Sequence, residues 1–179
     1  MSEDPTPQQI KEVTESEWAA FRMLWTYMEK RSYLSNLFLR DFYAGPYFLN
    51  CFAHVLAKAK NKYPYFRYYL RNIILLTPGE HALLDQGTVD QRESYAKKVK
   101  TADWPKIGVL KESLLQEYNA VFPKRQGLII GIKYSEGEVR DVIRKLNALF
   151  MTELLGSPSQ PIKKHDKKKG KTDTTPDKP

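Results

Sequence analysis

Three histidines are the side chains of this 179-residue chain best suited to proton transfer near neutral pH. His81 follows Pro78-Gly79 in an expected loop, beside Glu80 and Asp85. A histidine with carboxylates close by can act as a general acid or base. His54 falls near the apolar side of an expected helix, and reads as a core or boundary residue rather than a ligand. His165 lies in a Lys-rich tail and reads as solvated. Cys51 is the sole cysteine, so the chain can form neither an intrachain disulfide nor a Cys-based zinc site. The patterns GxxxxGK[ST], GxGxxG and HExxH are all absent, and no cofactor or metal is expected.

A second chemistry is suggested by YPYFRYYLRNIILL, residues 63–76, where aromatic rings and arginines interleave. Rings can stack on bases while arginines meet phosphates. Arg67 and Arg71, with Lys97, Lys98 and Lys100 further on, are the candidate nucleic-acid contacts. Against this, Phe66, Tyr69, Leu70, Ile73, Ile74 and Leu76 trace one helical face, which favours a core role. The net charge of +8 is unevenly placed. Residues 1–17 carry one Lys against five acids, and residues 157–179 carry seven Lys against three Asp. The middle keeps its own excess of 21 basic over 13 acidic groups, which makes an anionic partner plausible.

These residues have to be positioned by helices. Thr14 with Glu17 forms a capping-box pattern that starts a first helix, leaving residues 1–13 as a disordered acidic terminus. Helices follow over 33–43, from Pro46 to about Ala59, and over 63–76, where Thr77-Pro78-Gly79 is expected to stop the helix. A turn at Gln86-Gly87, a charged helix over 89–99, a break at Trp104-Pro105 and a helix over 107–122 come next. Val109, Leu110, Leu114, Leu115, Tyr118 and Val121 give that helix its apolar side. The last helix begins at Gly137 or Glu138 and ends at Leu155, with Gly156 as its stop and Leu149 on its apolar side. The tail 157–179 has too little apolar surface to order itself. The expectation is one all-α domain over 14–156, a bundle of about seven helices with one short extended apolar segment at 127–133.

That segment opens GLIIGIKYSEGEVRDVIRKLNALF, residues 127–150. Together with Glu117-Tyr118 and Phe122 before it, the order of features over 114–154 resembles the C-terminal part of the 2-oxo-4-hydroxy-4-carboxy-5-ureidoimidazoline decarboxylases. In that family a segment of the form LNxAYxxKFGFPFIIxVRG precedes a long helix. The resemblance implies an all-helical fold and, if the chain is active, a lyase of the urate-to-allantoin route. Its extended segment would wall the substrate, placing Ile130, Ile132 and Lys133 at the ligand. Lys133 stands where the family has an arginine. The family's catalytic His-Pro-Asp-Leu falls on Thr77-Pro78-Gly79-Glu80, which keeps only the proline, with His81 as the nearest histidine. The family's Ser-x-x-Glu-Gln leaves Glu93 as the second catalytic candidate. The resemblance with these departures implies a divergent, catalytically impaired relative that binds a small anionic ligand.

Two other classes of function stand beside it: a basic module binding nucleic acid, and an assembly subunit that contacts a protein partner or a second copy of itself. The acidic N-terminus is unlike a signal peptide, and no apolar run approaches the ~18 residues of a membrane span. The expected location is intracellular, in the cytoplasm.

Overall fold

Thr6 starts the first helix. In the computed structural model, which describes residues 5–27, 48–60, 62–98, 102–123 and 134–156, Thr6 and Gln9 cap each other. Gln9 N–H donates to Thr6 Oγ1 at 3.2 Å, and Thr6 N–H donates to Gln9 Oε1 at 2.7 Å. Helix α1 (Pro7–Val13) follows, with Pro7 suited to a first helical position and Ile10 and Val13 buried. Part of the stretch expected to be disordered is therefore helical. Thr14 closes this helix, and Ser16 caps α2 (Glu17–Thr26). The Thr14–Glu17 pattern marked the right place, but the cap sits two residues later.

The main correction concerns two expected helices. Residues 48–60 form a 3-10 turn (Phe48–Cys51) and then strand β1 (Phe52–His54). Residues 63–76 form 3-10 turns at Pro64–Phe66 and Leu70–Asn72, then strand β2 (Ile73–Leu75). The strands pair antiparallel, Phe52 opposite Leu75 and His54 opposite Ile73. Leu76 N–H donates to Cys51 O and Val55 N–H to Asn72 O, extending the ladder at both ends. Every residue from 51 to 56 and from 72 to 77 is buried. A helix at the surface would leave one face to solvent, whereas a short strand inside helices is covered on both faces. Short apolar runs fit either period, and here β-branched Ile73 and Ile74 suit the strand. Phe21 of α2 stacks on Phe52, with ring centroids 4.4 Å apart.

Asn72 fixes the connection between the strands. Its Oδ1 accepts from Leu56 N–H at 2.8 Å, and its Nδ2 donates to the carbonyls of Leu56 and Phe66 at 3.1 Å each. Thr77-Pro78-Gly79 begins a helix rather than ending one, because Thr77 and Glu80 make a capping box for α3 (Pro78–Gln86). Glu80 is fully buried, and its second oxygen accepts from Ala102 N–H at 2.9 Å. Gly87 closes α3 as the turn signal predicts; a Cβ there would lie 2.5 Å from Leu83 O. Arg92, on the charged helix α4 (Val89–Lys98), donates to the carbonyls of Leu83 and Leu84 at the same end.

Trp104-Pro105 likewise begins α5 (Trp104–Val121), capped by Asp103. The last helix, α6 (Glu136–Gly156), is capped by Ser135 with Glu138. Asn147 of α6 is buried and holds the turn before β2: it accepts from Leu70 N–H at 2.8 Å and donates to Tyr68 O at 3.0 Å. Val109 and Leu149, expected on apolar faces, are exposed. The result is one mostly helical domain with a two-stranded sheet at its centre, six α-helices being formed by the described residues. The expected helix over 33–43, the apolar segment 127–133 and the tail 157–179 lie outside the described residues.

Candidate ligand cleft

His54 is the last residue of β1, paired with Ile73 and buried. Its Nε2 lies 2.9 Å from the carbonyl oxygen of Arg67. A carbonyl only accepts, so Nε2 carries the proton and, in the neutral ring, Nδ1 carries the lone pair. Glu17 Oε1 stands 3.6 Å from the same Nε2, consistent with a donor there. Glu17 also accepts from Lys58 Nζ and, at 2.9 Å, from Arg67. Burial pushes the Glu17 carboxyl up, but the bonds from Arg67 and Lys58 outweigh it and hold the group below its ordinary value. Burial pushes the His54 imidazole down to about 4; the Arg67 carbonyl opposes this, Lys58 adds to it, Glu17 opposes it and His81 adds to it. His54 is therefore neutral at pH 7, with one nitrogen committed.

The other nitrogen is not. Among the described residues Nδ1 has no hydrogen-bond partner. It is not sealed either: the unpartnered, enclosed side-chain polar atoms among those residues are Trp104 Nε1 and Arg144 Nε. His54 lines a cleft of about 700 Å³ between the chain leaving β1, helix α3 and helix α5, within the usual range of small-ligand sites. Lys62 and Lys111 bring positive charge to its wall, Asn119 an amide and Asp85 a carboxylate. Tyr63 and Tyr118 supply aromatic rings set edge to face, 5.2 Å apart. Burial pushes the Tyr118 phenol up to about 12, against a Tyr65 backbone bond that lowers it, so it stays protonated.

A second groove, about 550 Å³, lies between α1 and α6. Its wall is mostly Pro5, Pro7, Ile10, Ala148, Met151 and Leu155, with Arg144, Lys145 and Thr152 as its polar members. It carries fewer polar groups than the His54 cleft, which is the stronger candidate.

The residues singled out from sequence are described only in part. His81 sits on α3 rather than in a loop; its Nδ1 donates to Asn50 O at 2.8 Å and its Nε2 faces Asp85 at 3.5 Å. Glu93 is exposed on α4 and shares no hydrogen bond or ion pair with His81. Ile130, Ile132 and Lys133 lie outside the described residues, as does Lys100. Arg67 is held by Glu17, and Arg71 donates to Glu117 and Ser113, each at 2.9 Å. Lys97 and Lys98 are exposed at the end of α4. Sequence reasoning passed over Lys62, Lys111 and Asn119, used Glu17 only as a helix cap, and read His54 as a core or boundary residue. No local spacing marks this set, since Glu17 meets Arg67 across 50 positions. No protein-family model, curated protein or solved structure matches the chain.

Proposed function

We propose that the protein binds a compact anionic small molecule in the His54 cleft, as a binding protein rather than a decarboxylase. The observation that carries this reading is one cleft whose wall joins Lys62 and Lys111 to the Asn119 amide, with Asp85 beside them. Two lysines favour a negative ligand, and a cleft of this volume favours a small one over a polymer. This keeps the anionic ligand implied by the resemblance to the ureidoimidazoline decarboxylases and assigns it to residues other than His81 and Glu93, neither of which lines the cleft. His81 is held by Asn50 O, and Glu93 is exposed and shares no hydrogen bond or ion pair with it.

Titration calorimetry with benzoate and furan-2-carboxylate tests the reading. Millimolar binding is expected, with affinity falling about tenfold or more in the Lys62→Ala/Lys111→Ala variant. No heat from either carboxylate, or equal affinity in that variant, would overturn it.

A further inference from the structure

We infer that the groove between α1 and α6 is a second binding site, for a straight-chain carboxylate. It is separate from the His54 cleft and does not depend on the anion reading given there. On α6, Arg144, Ala148, Met151 and Leu155 line the groove and recur at helical spacing, so they form one stripe along that helix. From Arg144 to Leu155 the stripe runs about 16 Å along the axis. Its charge is confined to one end, at Arg144 and the neighbouring Lys145. The Thr152 hydroxyl further along is already engaged, donating to Ala148 O at 3.0 Å. Ile10 of α1 and Met151 of α6 bring buried apolar side chains from both helices, and a thioether adapts to a flexible chain. A groove charged at one end and apolar along the rest matches a ligand with one anionic head and an aliphatic tail. Its volume of about 550 Å³ suits a single short chain.

The head end is poorly satisfied by the fold itself. Nη1 of Arg144 donates to Asp141 at 3.2 Å, an exposed pair of the kind that contributes little. Nη2 and Nε form the other donor fork of this guanidinium, and neither has a hydrogen-bond partner among the described residues; Nε is enclosed as well. An enclosed N–H without an acceptor is costly, and a carboxylate taken by both donors of that fork would relieve it. The Arg144 side chain is 40% exposed, which leaves it room to turn the fork onto an incoming carboxylate. Lys145, likewise without a hydrogen bond or ion pair among the described residues, adds a second positive charge.

Titration calorimetry of the full chain with decanoate, kept below its micelle concentration, and with acetate tests the inference. Decanoate is expected to bind at least about tenfold more tightly than acetate, since only its chain covers the apolar stripe. The Arg144→Gln/Lys145→Gln variant should weaken decanoate about tenfold or more. Ala148 is exposed, so Ala148→Trp fills the groove without entering the core and should abolish decanoate binding. Lys62→Ala/Lys111→Ala alters only the other cleft and should bind decanoate as the unaltered chain does. No heat from decanoate, equal affinity for acetate, or a decanoate affinity unchanged in both groove variants would overturn the inference. So would loss of decanoate binding in the Lys62→Ala/Lys111→Ala variant, which would seat the chain in the His54 cleft instead.

Discussion

His54 joins the stability of this protein to its candidate site. A native value near 4 against an ordinary 6.5 means that the unfolded chain takes up a proton between those values and the folded chain does not. Stability therefore falls as pH drops from about 6.5 toward 4, by at most about 3 kcal/mol. Glu17 contributes in the same direction, in a lower window. Its depressed carboxyl stabilises the fold above the ordinary value of 4.5, and that contribution is lost below it. The charges that bear on His54 are Lys58, Glu17 and His81, with the Arg67 carbonyl as its bond partner. Urea melts across pH 7 to 4 should show a slope that His54→Phe removes; an unchanged slope would place the titrating group elsewhere. At this scale the sequence was least legible. It showed a histidine near apolar neighbours, but its meaning depends on partners 13 and 37 positions away, which spacing along a helix or strand does not encode.

Elements were easier to read where amphipathic periodicity ran for several turns. Helices α5 and α6 were legible from Leu110, Leu114 and Tyr118, and from Val139, Ile143, Leu146 and Phe150, each set repeating at helical spacing. The two strands were not, because a run such as Ile73-Ile74-Leu75-Leu76 is apolar under any period. Buried amides decide the matter instead: Asn72 clamps the connection from inside, and Asn147 reaches from α6 to the turn before β2. Replacing Asn147 with Leu would leave Leu70 N–H and Tyr68 O buried without that partner. The expected cost is about 2–5 kcal/mol, read as a lower urea midpoint. Asn147→Asp keeps the acceptor for Leu70 but sets a carboxylate oxygen against the Tyr68 carbonyl, so it too should destabilise. A midpoint unchanged by both substitutions would mean that this turn is held in place without α6.

Over the whole molecule, charge was legible in the sequence but its disposition was not. Arg67 and Arg71 looked available for phosphates, yet each is paired with a carboxylate from a distant part of the chain, Glu17 and Glu117. Burial and then Glu117 push the Tyr69 phenol up, so its hydroxyl stays protonated and completes the Arg71 pairing from the other carboxylate oxygen. Recruiting either arginine to a polyanion would require breaking these pairs. Residues 157–179, by contrast, hold seven Lys against three Asp, half of the net +8. Attraction to a polyanion should therefore come largely from the tail and fall steeply with salt. A chain ending at residue 156 is expected to leave heparin at clearly lower salt than the full chain. Adding Arg67→Gln and Arg71→Gln to the full chain should change its elution much less than removing the tail does. The reverse order, with the arginine substitutions dominating, would put the polyanion surface on the turns before β2 and revive the nucleic-acid reading of the interleaved aromatics and arginines.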